Sequence, residues 1–447
     1  MPPHAPGTIA SRLRMLVQHS VPLTRLWRAV RGSIQGALIR RDHRRHLRQY
    51  QKAGGLASDL EERRVWMQVH GRLRDRGVDL ATRRQPLHVL YATKPSGWEP
   101  HNIPPAISSV ADLSLYYLYE RIPGAKSMGE WALRQHCDAD LLAFVSDLHR
   151  RRPIDVMLSY LCGTQLSAAV VERINSMGIA TALFHLDDRL HFDATAHNGF
   201  ASGPAAVAAA YDVCLTASDD SIVKYAVRGG RAVLWPEGGN PDIFRPLETP
   251  RIHDVAFVGA RYGHRSLLVD YLRRHGVHVA CFGAGWEQGG VSDARMVEIF
   301  SQSRIVLGFG YIGYSDEQHF KGRDFEVPMC GCVYLTSSNR YVEQVYDVGR
   351  DIVVYRDPAD CLRIIRQLLA DPTRCDTIRK AARRRALASH TWRHRIEYLL
   401  AGLAGHPRPL IEPPITRDLP LAGSTDLCPP ALRRQEENRR QGGDEQA

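Results

Sequence analysis

The chain has 447 residues, a formal net charge of +11, 44% hydrophobic and 24% charged residues. That length suits two or three domains, each with its own core, and the composition is ordinary for a soluble globular protein. No apolar run reaches the roughly 18 residues of a membrane-spanning helix, and the N-terminus lacks the basic, apolar, small-residue order of a signal peptide.

The charge is unevenly spread. Residues 1–85 hold 18 Lys/Arg against six acids, an excess of 12, so the remainder is close to neutral. The positive field belongs to an N-terminal extension and says little about the main body. Nine cysteines are scattered, with no C-x-x-C pair and no zinc spacing. They indicate a reducing compartment, the cytoplasm, and no metal.

Residues 1–19 read as loosely ordered. From Leu23, apolar residues recur at helical spacing through Leu26, Trp27, Val30, Ile34 and Leu38, with arginines at the other positions. Such a basic amphipathic helix, within residues 20–50, can lie on an anionic membrane surface or pack on its own protein. Nucleic acid is not expected, since no binding motif accompanies the arginines. A second helix is predicted from about Leu56 to Arg76.

At Pro86 the pattern changes. Strands are predicted at Leu87–Ala92, Asp155–Leu161, Ala180–Leu186, Val213–Thr216 and Ala232–Trp235, and helices at 127–151, Ser167–Met177 and Ser221–Val227. This alternation argues for a parallel, doubly wound α/β sheet, whose ligands sit beyond the carboxyl ends of the strands. The third of these strands ends in Asp187 and Asp188, placed for a catalytic base or substrate anchor, or for a surface turn with a helix cap. His191 and His197 nearby match no strong metal motif.

The run Pro236–Pro246 has three prolines and two glycines and reads as a crossing between domains. A second alternation follows. Strands are expected at Val255–Val258, Val277–Phe282, Ile305–Phe309, Cys332–Thr336 and Ile352–Tyr355. Helices are expected at Ser266–His275, Asp293–Ser301, Tyr341–Val348, 358–370 and 373–403. Glycine turns at Gly259 and at Gly283 and Gly285 suit an anionic ligand, with Arg261 or Arg265 for charge-assisted phosphate contacts. The stretch His319–Ser338 opens as a basic loop, with Lys321 and Arg323, feeding a short helix that Asp324 can cap and that tolerates Pro328 in its first turn. Residues 405–447, with seven prolines and many charges, read as a disordered tail.

Several of these motifs together resemble the nucleotide-sugar glycosyltransferases with two facing Rossmann-like domains, the GT-B architecture, and among them the CgeB-like (spore-maturation protein) branch of the group 1 glycosyltransferases. The likeness covers roughly residues 87–403. It rests on Pro236–Pro246 as the interdomain linker, Val255–Gly259 with Arg265, the turn Phe282-Gly283-Ala284-Gly285-Trp286, and Arg323-Asp324-Phe325-Glu326 followed by Cys330-Gly331. It implies an acceptor-side domain over 86–235, a linker over 236–250 and a donor-side domain over 251–404; the basic helical extension over 1–85 and the tail over 405–447 lie outside the likeness and rest on charge and composition. Transfer of a hexosyl group from a nucleotide-diphosphate sugar to an unidentified acceptor would then need neither cofactor nor metal.

By the same resemblance, Glu326 would hydrogen-bond the donor's ribose. Arg323 and the turns at Gly259, Gly283 and Gly285 would face the diphosphate, with Lys321 and Arg261 added by their charge and position alone. Arg265 would neutralise phosphate charge as the sugar leaves, and Asp187 or Asp188 would contact the acceptor or take its proton. Retaining members of the wider group carry a glutamate pair whose first partner, counted back from Glu326, falls here on Gln318, so the stereochemical outcome stays open. A nucleotide-sugar epimerase or hydrolase, or a catalytically silent scaffold docking through its basic arm, is the alternative.

Overall fold

In the computed structural model the described residues are 21–95, 97–195 and 199–410, with side chains described from residue 30. The expectations for residues 1–19, for His197 and for the tail beyond 410 lie outside them.

Short, wholly apolar runs become strands buried on both faces, as parallel sheets require. The first sheet takes β1 (His88–Thr93), β2 (Asp112–Tyr117), β3 (Val156–Ser159), β4 (Ala180–His185), β5 (Val213–Thr216) and β6 (Ala232–Leu234) in the order β2-β1-β3-β4-β5-β6. The second takes β7 (His253–Val258), β8 (Val279–Phe282), β9 (Ser303–Leu307), β10 (Val333–Ser337) and β11 (Val353–Tyr355) in the order β11-β10-β9-β7-β8. Every pairing is parallel. Alternate side chains feed opposite layers: Val89 and Tyr91 join one core cluster while Leu90 and Ala92 join another. Val255 and Phe257 are likewise separated from Ala256 and Val258.

Both sheets reverse their winding after the first strand pair, so crevices open between β1 and β3 and between β7 and β9. The two sheets are the doubly wound halves that the alternation predicts. Unforeseen were β2 and the helix Ile103–Ser108. As an edge strand, β2 buries only Tyr116 fully and carries no apolar run to mark it.

The helix expected over 373–403 is broken in two. It runs Pro372–Ser389, and a second helix, Trp392–Leu403, is started by Thr391, whose hydroxyl caps it by accepting from the His394 amide. The break turns the last helix back onto the first sheet, where Trp392, Ile396, Tyr398, Leu399 and Leu403 enter the core that contains Trp66 and Trp235. The chain therefore crosses between the halves twice, at 235–244 and at 389–392. Gly239 donates to the His390 carbonyl and accepts from Trp392, both at 3.0 Å. Arg395, fully buried, closes this junction. Its guanidinium donates to the carbonyls of Pro236 and Glu237 at 3.1 Å and of Ser389 at 3.0 Å.

The N-terminal helix, α1 (Val21–Lys52), extends well past the predicted stripe. The face that packs is not the apolar one. Gly32, Gln35, Gly36, Ile39, Asp42, His43 and His46 point inward, and Val30, Ile34 and Leu38 remain exposed at 44%, 56% and 56%. Inward contacts reach both halves. Lys224 of the helix Asp219–Val227 bonds Asp42 at 2.7 Å. The tip of a hairpin over 311–318 meets the helix further up. Tyr314 donates its amide to Gln35 at 2.8 Å, and Arg40 pairs with Glu317 at 2.8 Å. Gly32 has to be glycine, because a Cβ there would lie 2.3 Å from the Tyr314 carbonyl oxygen.

Removing the guanidinium in Arg395→Met leaves three buried carbonyls without their donor. Urea unfolding should show a loss on the order of 3 kcal/mol. A loss under about 0.5 kcal/mol, the usual size at an unimportant surface position, would deny the junction this role.

Candidate functional site

The carboxyl ends of β7 and β8 run directly into glycine turns that are bonded to each other. Gly259 donates to the Phe282 carbonyl, Arg261 donates to the Ala284 carbonyl, and the Trp286 indole donates to the Gly259 carbonyl at 2.9 Å. Gly283 takes φ +124°, where a Cβ would sit 2.4 Å from the Gly259 oxygen. Side chains are thus excluded and backbone is brought to the edge of the sheet. Arg261 lies exposed, its guanidinium 5.1 Å from the Trp286 ring. Arg265, in the first turn of the helix His264–Arg274, stacks on Tyr262 at 4.1 Å and donates to the Ala260 carbonyl at 2.9 Å. Burial pushes its pKa down.

The basic loop ends in a seven-residue helix, Arg323–Met329. Asp324 is not its N-cap, since Gly322 occupies that position. Asp324 is instead buried inside the helix, accepting from the Lys321 amide and the Tyr334 hydroxyl at 2.7 Å each, and burial pushes its pKa up to about 6. Pro328 lies in the second turn rather than the first, and the helix ends one residue later. Arg323 pairs with Glu326 and donates to the Val258 carbonyl at 3.4 Å, which ties the helix start to the end of β7. Gln318 is occupied elsewhere: its amide donates to the Ser338 carbonyl at 2.9 Å and its oxygen accepts from the Ser337 hydroxyl. Lys321 and His319 touch, Nζ to Nε2, at 2.6 Å. Burial, then the neighbouring Lys321, push the His319 pKa far down, so the imidazole is neutral.

In the first half, a cavity of about 380 Å³ opens at the ends of β1, β3 and β4, lined by Lys94, Tyr160, His185 and Asp187 among others. Burial holds His185 down to about 4 against the opposing pull of Asp187. The two aspartates predicted together part company. Asp187 is exposed on the cavity, while Asp188 turns inward and accepts from Ser221 at 2.7 Å and Tyr225 at 3.0 Å. Asp188 is a fully buried brace and does not reach an acceptor.

Between the halves lies a residue not predicted as functional. Glu237, in the crossing segment, is buried with Oε2 unpartnered, and burial pushes its pKa up to about 7. Glu237 and Asp187 both act on Lys321, holding its charge against a burial that lowers its pKa. One sequence cue existed: an acid inside a proline- and glycine-rich crossing between domains.

Asp42, His46 and Asp193 could by position alone hold a metal. Their carboxylates are instead met by Arg45, Lys224 and Arg228 at 2.7–2.9 Å, a balanced ion network. Among the described residues no helix is long and apolar enough to cross a membrane.

A family model described as glycosyl transferase-like matches residues 264–401. A sucrose-phosphate synthase of Thermosynechococcus elongatus superposes with a TM-score of 0.51 at 12% identity, over 71% of this chain and 97% of that one. The fold is GT-B. Looser matches at a TM-score of 0.48 are Anabaena HepE in complex with UDP (12% identity, 71% and 100% coverage) and a glycosyltransferase from Rickettsia africae (9%, 72% and 99%). No curated protein matches the chain by sequence.

Glu237 titrates with a definite sign. Its folded pKa lies above the ordinary 4.5, so its contribution to stability is full below about pH 4.5 and lost as pH rises through about 7. Glu237→Gln, which mimics the protonated acid, should match the parent's melting temperature at pH 4.5 and exceed it at pH 8. An equal difference at both pH values would show that the carboxyl does not carry this burial cost.

Proposed function

We propose that the protein is a glycosyltransferase that moves a sugar from a nucleotide-diphosphate donor to an acceptor. The observation carrying this reading is that the glycosyl transferase-like match over 264–401 falls on the half of a GT-B fold where two bonded glycine turns meet Arg261, Arg265, Lys321 and Arg323. Residues 251–389 then serve the donor and 86–235 the acceptor, joined through 236–250, with the helix Trp392–Leu403 returned to the acceptor side. Backbone amides and guanidinium groups answer the charge that develops on the departing diphosphate, a task that needs no metal.

Glu326 takes the ribose hydroxyls and Arg323 the phosphates. The present Arg323–Glu326 pair is the resting form, each group standing in for the other's ligand. Lys321, between Glu237 and Asp187, faces the bond that breaks. Asp187, exposed on the first-half cavity, receives the acceptor's proton. The eight cysteines among the described residues are buried and unpaired, which fits a reducing compartment.

One observation favours a second reading, a silent scaffold. The Gln318 amide is committed to Ser337 and Ser338 and is not free to hold a sugar.

Calorimetry should find binding of at least one of UDP, GDP and dTDP. Arg265→Ala and Arg323→Ala should each weaken it about tenfold or more, ~1.4 kcal/mol, and affect the nucleoside alone much less. No binding of these three or of ADP sinks the proposal. Donor binding without turnover of any panel sugar, by hydrolysis or by transfer, selects the scaffold.

A further inference from the structure

The exposed face of α1 is the feature that the donor and acceptor chemistry does not use. Val30, Ile34 and Leu38 recur every fourth residue, so they form one stripe along the helix. All three are exposed; Val30 and Ile34 point away from the face that seats Gln35, Ile39 and Asp42, and Leu38 lies at its edge. Helical spacing runs back in the sequence through Trp27 and Leu23, three and seven residues before Val30. An apolar stripe normally faces the core of its own protein, with small and polar residues outward. Here the arrangement is inverted, because glycines at 32 and 36 allow the helix to approach the body with its polar side.

Charge says what covers the stripe. From Val30 to Lys52 the helix carries seven Lys/Arg and one acid, Asp42. Arg40 and Arg45 are engaged by carboxylates of the body, but Arg41 and Arg48 are exposed and have no carboxylate partner among the described residues. On a helical wheel Arg41 and Arg48 continue the stripe, falling within about 20° of Val30. An apolar band that ends in unpaired arginines matches a layer with negative headgroups over hydrocarbon. A second copy in parallel would instead set arginines against arginines.

We propose that the outward face of α1 docks on an anionic lipid bilayer, with Val30, Ile34 and Leu38 entering the headgroup boundary and Arg41 and Arg48 on the lipid phosphates. The docked face adjoins the first-half crevice. Leu38 lines a cavity of about 490 Å³ that shares His191 and Thr195 with the cavity holding Asp187. Docking thus sets the acceptor side of the cleft beside the membrane surface, without requiring that the cleft be a glycosyltransferase site.

The test is flotation of the full chain with vesicles of phosphatidylcholine alone or carrying roughly one third phosphatidylglycerol. The parent should float with the anionic vesicles, not the neutral ones, and lose binding as salt is raised. Ile34→Glu/Leu38→Glu and, separately, Arg41→Gln/Arg48→Gln should each reduce the bound fraction at least tenfold with unchanged melting temperatures. Absence of parent binding, equal binding to neutral vesicles, or retention of binding in both variants overturns the proposal. So does a parent dimer, seen by light scattering, that Ile34→Glu/Leu38→Glu dissolves while vesicle binding is nil.

Discussion

The structure depends on how the chain passes between its two sheets, and Arg395 decides that. A guanidinium is costly to bury, and burial here lowers its pKa to about 10. It is tolerable because its donors meet carbonyls from both passages, Pro236 and Glu237 on one and Ser389 on the other. The Trp235 indole in turn donates to the Arg395 carbonyl at 3.0 Å. Two otherwise irregular segments thereby satisfy each other's backbone. Glu237 is buried as a result, since the segment that carries it is pinned from behind.

That burial organises the cleft. Four titratable groups there are stripped of water and depart from their ordinary pKa in the direction that burial dictates: Glu237 and Asp324 upward, Lys321 and His319 downward. Such groups sit closer to their neutral forms than they would on a surface, so small changes in their surroundings move protons among them. The floor behaves differently. The Gly259 and Gly283 turns are bonded to each other and are set before any ligand arrives, which leaves adjustment to the arginines and to the 311–318 hairpin.

Much of this was readable in the residues. Buried parallel strands are apolar throughout, so most announced themselves, and Val213–Thr216 and Asp293–Ser301 have the predicted ends. β2 escaped because an edge strand needs no apolar run. The helix break at His390-Thr391 escaped because its cause is tertiary: the pattern stays helical on both sides, and only the place where Trp392 packs separates them. Asp187 and Asp188 are identical in composition and adjacent in sequence. A half-turn of backbone after β4 sends one to solvent and one to Ser221 and Tyr225, a distinction that requires the third dimension. For α1 the period was right, and the face that packs was left open. Hydrophobicity alone chose the stripe, whereas closeness of approach, available only at Gly32 and Gly36, chose the contact.

The seat of α1 also carries a consequence for biosynthesis. Its amide partner Tyr314 lies 279 residues further along the chain. During translation the helix is made long before the hairpin over 311–318 that receives its upper part, so that part of the seat waits. Its lower part, around Asp42, can be covered earlier, once Lys224 of the helix Asp219–Val227 is made. The helix is therefore seated in two stages, on one half and then on the other.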